Sequence, residues 1–120
     1  MKILVVDDSS TMRRIITNTL TNLGHEGVVQ AVDGQDALVK VEENPDIEFV
    51  FSDWNMPNMN GLEFLKKFRE KNKTVPFVMV TTESEKESVV EAIKSGASNY
   101  VVKPFTPDVL KDKMDAVMKK

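Results

Sequence analysis

At 120 residues, with a formal net charge of −3 and no cysteine, the chain is sized for one domain and excludes disulfides, thiolate metal sites and cysteine nucleophiles. No basic run offers a nucleic-acid footprint, no apolar stretch approaches the ~20 residues of a membrane span, and one histidine, His25, cannot make a histidine-rich zinc site. The expectation is a monomeric, cytoplasmic single domain over residues 1–120, with neither nucleic acid nor membrane as partner.

The first strand-like run, Ile3-Leu4-Val5-Val6, begins at once, so no signal peptide is expected, and it stops at Asp7-Asp8. Met12, Ile15, Ile16, Leu20 and Leu23 then share one helix face, which Gly24 ends. Gly27–Ala31 is the weakest strand, and after the Asp33-Gly34 turn Ala37, Leu38 and Val41 give a short helical stripe. Phe49-Val50-Phe51-Ser52 stops at Asp53. Asn60 can cap a helix carrying Leu62, Leu65 and Phe68, with Phe64 alongside. Phe77-Val78-Met79-Val80 stops at Thr81. Ser84-Glu85-Lys86-Glu87 reads as a capping box before Val89, Ala92 and Ile93, with Gly96 as the stop. Tyr100-Val101-Val102 stops at Lys103-Pro104. Thr106-Pro107-Asp108 supplies the N-cap, N1 proline and first-turn acid of a last helix, whose core face is Leu110, Met114 and Val117. Lys119-Lys120 complements the dipole at its end.

Strand and helix alternate five times, which predicts an α/β fold: a doubly wound, five-stranded parallel sheet with five helices and right-handed crossovers. Short continuous apolar runs suit strands buried on both faces. In such a sheet the carboxyl ends of all strands share one edge, where ligands bind, and neighbours lie about 4.8 Å apart. Asp7, Asp8, Asp53, Thr81 and Lys103 are therefore expected in one pocket. Crowded carboxylates repel unless a cation joins them, and oxygen donors without His or Cys favour a hard ion, Mg²⁺ or Mn²⁺. A hard cation, an aspartate nucleophile and a lysine suggest phosphoryl transfer through an acyl phosphate, with Thr81 able to donate to a phosphoryl oxygen.

In combination these residues resemble the receiver domain of two-component response regulators. The resemblance covers the chain from Lys2 to the last helix. It rests on the acid pair after strand one, on Asp53 with Met56-Pro57 and Asn60-Gly61 behind it, on Thr81, and on Lys103-Pro104-Phe105. Asp7 to Arg14, Asp53 to Pro57 and Asn99 to Thr106 are most similar to the chemotaxis branch of that family. The resemblance implies a flavodoxin-like sheet in the order 2-1-3-4-5. It implies Asp53 as phosphoacceptor, and a Mg²⁺ ion held by Asp8, Asp53 and the Asn55 backbone carbonyl, with Asp7 acting mainly through water. Lys103 would contact the phosphoryl group, aimed by a cis Lys103-Pro104 peptide. Thr81 would move to bond that group, and Tyr100 would swing inward behind it. The face of helix four, strand five and helix five, with Tyr100, Val102, Phe105, Val109 and Lys113, would then bind a flagellar switch protein (FliM-like). A histidine kinase (CheA-like) would supply the phosphoryl group, and a phosphatase partner is allowed for. The protein would assist its own phosphorylation and dephosphorylation without being an enzyme in the turnover sense.

One position departs from the family pattern: the residue after the switch threonine is usually small, and here it is Thr82, which could narrow access to Asp53. Asn55 and Glu83 have two readings, as loop polars or as residues that position or obstruct the water attacking the acyl phosphate. Trp54 reads as a space-filling aromatic that could also report phosphorylation. Tyr100 and Phe105 have core readings beside their functional ones. Arg13-Arg14 and Lys66-Lys67 read as solvated helix faces, and the seven methionines as packing. Two other functions stay open: a phosphorelay intermediate on the same fold, and a haloacid-dehalogenase-like phosphatase. The phosphatase would want an acid where Asn55 stands.

Overall fold

The computed structural model describes residues 1–82, 86–103 and 105–118, with only the backbone of 86 and 87. The expected capping box at 84–87, Glu83, the Lys103-Pro104 peptide and Lys119-Lys120 lie outside the described residues. Strands and helices alternate along the chain: β1 (Lys2–Val6), α1 (Ser10–Asn22), β2 (Gly27–Ala31), α2 (Gly34–Glu43), β3 (Phe49–Asp53), α3 (Gly61–Lys71), β4 (Phe77–Thr81), α4 (Lys86–Lys94), β5 (Asn99–Val102) and α5 (Pro107–Met118). Every pairing is parallel, and the sheet order is β2-β1-β3-β4-β5, a flavodoxin-like arrangement as expected.

The continuous apolar runs are explained by two cores, one on each face of the sheet. Leu4, Val6, Val50, Phe77 and Met79 pack with Ala37, Phe64, Leu65, Phe68 and Ala92 of α2, α3 and α4. Ile3, Val5, Phe49, Phe51, Val78, Val80 and Val101 pack with Ile16 and Leu20 of α1 and with Leu110, Met114 and Val117 of α5. Phe64, Phe68 and Phe77 form a three-ring cluster with centroids 5.5–5.9 Å apart, which adds aromatic contact to simple burial.

The helix boundaries follow local chemistry. Gly24 and Gly96 adopt φ of +97° and +112°, a region costly for any residue with a Cβ, and they end α1 and α4. Asn60 caps α3 in a reciprocal capping box with Glu63. Thr106 Oγ1 accepts from Val109 N–H at the start of α5. Two expected core positions are corrected. Ile15 and Ile93 are 45% and 46% exposed. In α1 Thr19 is buried beside Ile16 and Leu20, and its hydroxyl donates to the Ile15 carbonyl at 2.9 Å, so it enters the core with its polar atom satisfied.

Strand alternation decides which residues meet at the carboxyl edge. Successive side chains point to opposite faces. The row Ile3, Val5 continues to Asp7, the row Phe49, Phe51 to Asp53, and the row from Val101 to Lys103, all toward the α1/α5 side. Thr81 follows Phe77 and Met79 on the other face, the face that Tyr100 joins.

Candidate functional site

Asp7, one residue past β1, is almost wholly buried. Its N–H continues the ladder to the Ala31 carbonyl at 3.1 Å. Its Oδ1 accepts from Ser9 N–H at 2.8 Å, and Ser9 in turn caps α1. Arg13 Nη1 donates to the Asp7 carbonyl at 2.7 Å, so Arg13 is no mere solvated face: it pins the backbone of the site. Asp53 ends β3 and is 8% exposed, and its Oδ1 accepts from Trp54 N–H at 2.9 Å. Lys103 Nζ lies 3.0 Å from Asp7 Oδ2 and 3.2 Å from Asp53 Oδ1, joining the two carboxylates. Its own backbone N–H donates to the Thr81 carbonyl at 2.7 Å, so the residue is fixed at both ends. Asp8 is exposed, and one of its oxygens lies within 4.8 Å of oxygens from Asp7 and Asp53.

Burial, and then the nearby Asp7 charge, raise the Asp53 carboxyl above its ordinary range, against the pull of Lys103 and the Trp54 N–H. Burial works against the Lys103 charge, but the hydrogen bond to Asp7 and the charges of Asp53 and Asp7 outweigh it and raise the ammonium's pKa. Lys103 is thus a fixed cation. Three carboxylates against one ammonium leave excess negative charge, and all the donors are oxygens. This set could hold a hard divalent cation and suits no soft one.

Comparison with known proteins agrees with the geometry. Residues 3–115 match the family described as response regulator receiver domain. The chain belongs to the response-regulator receiver domains. It is 54% identical over 120 residues to the chemotaxis protein CheY1 of Helicobacter pylori, covering 98% of this chain and 97% of the relative. It is 55% identical to a CheY homolog of Campylobacter jejuni, with 98% and 92% covered. Among solved structures, CheY4 of Vibrio cholerae superposes with a TM-score of 0.91 at 39% identity, covering 98% of both chains. A CheX–CheY–BeF₃–Mg²⁺ complex from Borrelia burgdorferi gives 0.96 at 27% identity, covering 100% of this chain and 90% of that one.

In this receiver the remaining expected residues are placed as follows. Thr81 is buried at the end of β4, beside Val102 in register. Tyr100 is half-buried against the α4 side of the core, with Lys113 Nζ 4.8 Å from its ring centroid. Val102, Phe105 and Lys113 are half-buried and Val109 is exposed, so all four border the surface of β5 and α5. Asn55 is exposed in the loop after Asp53, Thr82 is exposed after Thr81, and Trp54 is half-buried against the core. No helix among the described residues is long and apolar enough to cross a membrane.

Sequence reasoning missed how the loop from 54 to 60 is held. Its neck is closed by Gly61 N–H donating to the Trp54 carbonyl at 2.8 Å. Its tip is tied to the start of α2, where Asn58 Nδ2 donates to Asp33 Oδ2 at 2.8 Å and Gly34 N–H donates to the Met59 carbonyl at 3.1 Å. A Cβ on Gly34 would sit 2.7 Å from Met59 Cγ, which explains the glycine. The Asp33-Gly34 pair signalled a turn, but nothing in the sequence paired it with Asn58.

Proposed function

We propose that residues 1–120 form one receiver domain that carries a chemotaxis signal as a phosphoryl group on Asp53. The observation that carries the reading is the single Lys103 ammonium shared by Asp7 and Asp53, with Asp8 beside them. Asp53 forms a new O–P bond as the P–N bond of a phosphohistidine on the partner kinase (CheA-like) breaks, and the imidazole leaves with the electron pair. Asp7, Asp8, Asp53 and the Asn55 carbonyl would hold Mg²⁺, which when bound neutralises charge on the phosphoryl oxygens. Lys103 is already within hydrogen-bond reach of Asp53, so it can follow one oxygen of the incoming group.

The shared sheet face of Thr81 and Tyr100 supports their coupling as the switch. The bistable element would be the Tyr100 side chain, whose position changes the surface of Tyr100, Val102, Phe105, Val109 and Lys113 that meets a flagellar switch protein (FliM-like). The likeness to CheY proteins, one of them solved with CheX, BeF₃ and Mg²⁺, supports this reading and a cytoplasmic location, and leaves room for a partner that removes the phosphate.

The deciding experiment is a peptide map by mass spectrometry after exposure to acetyl phosphate and Mg²⁺. One phosphoryl group on the peptide containing Asp53 is expected, and a label elsewhere overturns the assignment. Phosphate-dependent binding of a FliM fragment, without onward transfer to a histidine protein, separates a motor signal from a relay intermediate.

Mg²⁺ should also stabilise the fold by mass action. At roughly ten times its Kd the gain is about 1.4 kcal/mol, several degrees in melting temperature for a domain of this size. An unchanged melting temperature at millimolar Mg²⁺ would count against a preformed site.

A further inference from the structure

We propose that Asp33 and Asn58 are positioning residues for the divalent-ion site, which they influence without belonging to it. The inference rests on the reading of Asp7, Asp8, Asp53 and the Asn55 carbonyl as the ligand set. Asp7 and Asp53 stand at strand exits, where ladder pairing holds them, and Asp8 follows Asp7 directly. The fourth comes from the loop of 54–60, whose position the sheet does not determine. At its neck Trp54 N–H is held by the Val80 carbonyl at 3.0 Å, and Gly61 returns to Trp54. Beyond the neck, the side-chain tether is Asn58 to Asp33 at 2.8 Å, backed by Gly34 N–H to Met59.

Two features show that this tether is built in. Asn58 adopts φ of +66°, which is uncommon for a residue other than glycine, and its amide faces the carboxylate from that conformation. Asp33 is buried, and it divides its oxygens: Oδ1 caps α2 by accepting from Asp36 N–H, and Oδ2 accepts from Asn58. The carboxylate therefore ties the loop rigidly to a helix start. Supporting residues that orient a metal ligand typically change affinity 10- to 100-fold when removed.

The test is Mg²⁺ titration in the absence of phosphodonor, followed by the emission of Trp54, the sole tryptophan, which adjoins Asp53. N58G removes the amide, keeps the charge and tolerates the positive φ. D33S keeps an oxygen for the helix cap and has no second oxygen for Asn58. Both should weaken Mg²⁺ binding about tenfold. In D33N/N58D the new amide at 33 donates to the new carboxylate at 58, the net charge is that of the wild type, and affinity should return to within about twofold. N72A serves as the stability control. It removes an acceptor for Thr74 and Val75 N–H beyond the end of α3, and it should leave Mg²⁺ affinity unchanged while lowering stability.

A D33S or N58G affinity within about twofold of the wild type overturns the proposal, as does an equal loss in N72A or a failure of the swap to restore binding. A wild type with no saturable Mg²⁺ response overturns the ligand-set reading itself, and the proposal with it.

Discussion

Asp53→Asn is expected to abolish labelling by acetyl phosphate and, in chelator at neutral pH, to melt above the wild type. The first effect follows from chemistry: a neutral carboxamide lacks the carboxylate anion that must attack phosphorus to form the acyl phosphate. The second follows from electrostatics. The buried Asp53 carboxyl has its pKa raised, first by desolvation and then by Asp7. A carboxyl that binds its proton more tightly folded than unfolded penalises the folded state once the pH rises above its unfolded pKa, and the penalty is full above the folded pKa. Removing the charge removes the penalty, less what is lost at Lys103. The net gain should be on the order of 1 kcal/mol. It should shrink as the pH falls through the raised pKa and disappear below about 3.8, where both states are protonated. Denaturant melts in chelator at neutral pH decide the matter: an Asp53→Asn protein less stable than the wild type removes the case for repulsion.

Gly61→Ala should cost about 3 kcal/mol or more, against the direction that helix propensity suggests. Gly61 opens α3, where exchanging glycine for alanine would gain up to about 1 kcal/mol from backbone entropy alone. The space forbids it. A Cβ there would overlap the Asp53 carbonyl oxygen and lie 3.0 Å from Met79 Sδ. The near atom is backbone, so relief requires moving either Asp53 or the helix, and overpacking of this kind lies at the top of its usual range. Chemical denaturation checks the stability. Gly27→Ala is the fair comparison, because its new Cβ would meet Lys2 Cα and the Met1 carbonyl at 3.4 Å, an ordinary contact, and it should be close to neutral. Equal stability of Gly61→Ala and wild type would show that the neck of the loop is softer than it looks.

The alternation was legible because β1, β3 and β4 are buried on both faces and so run apolar up to their functional ends, whereas edge strand β2, with Gly27 and Gln30 exposed, gave the weakest signal. The meeting of Asp7, Asp53 and Lys103 was legible for the same reason: in a parallel sheet all exits share one edge, and the apolar runs end there. Hydropathy failed where burial depends on a partner. Ile15 lies at the margin of its stripe and stays outside, while Thr19 goes in because its hydroxyl finds the Ile15 carbonyl. Ile93 was placed inward beside Ala92, yet only the smaller residue is buried. Arg13 looked like a surface charge because its target is a backbone carbonyl, which leaves no mark in a sequence. The Asp33 to Asn58 bond spans 25 positions between two turns, and neither turn carries a period that would announce the other.

The Lys103 bridge has a consequence for biogenesis. Its acidic partners lie 96 and 50 positions earlier in the chain, at the exits of β1 and β3. A growing polypeptide that has made four strands holds the negative groups but lacks their counterion, and the fifth strand brings it last. The charge of the cluster is therefore balanced only when the last strand docks, and a nascent chain short of it carries an uncompensated acidic rim.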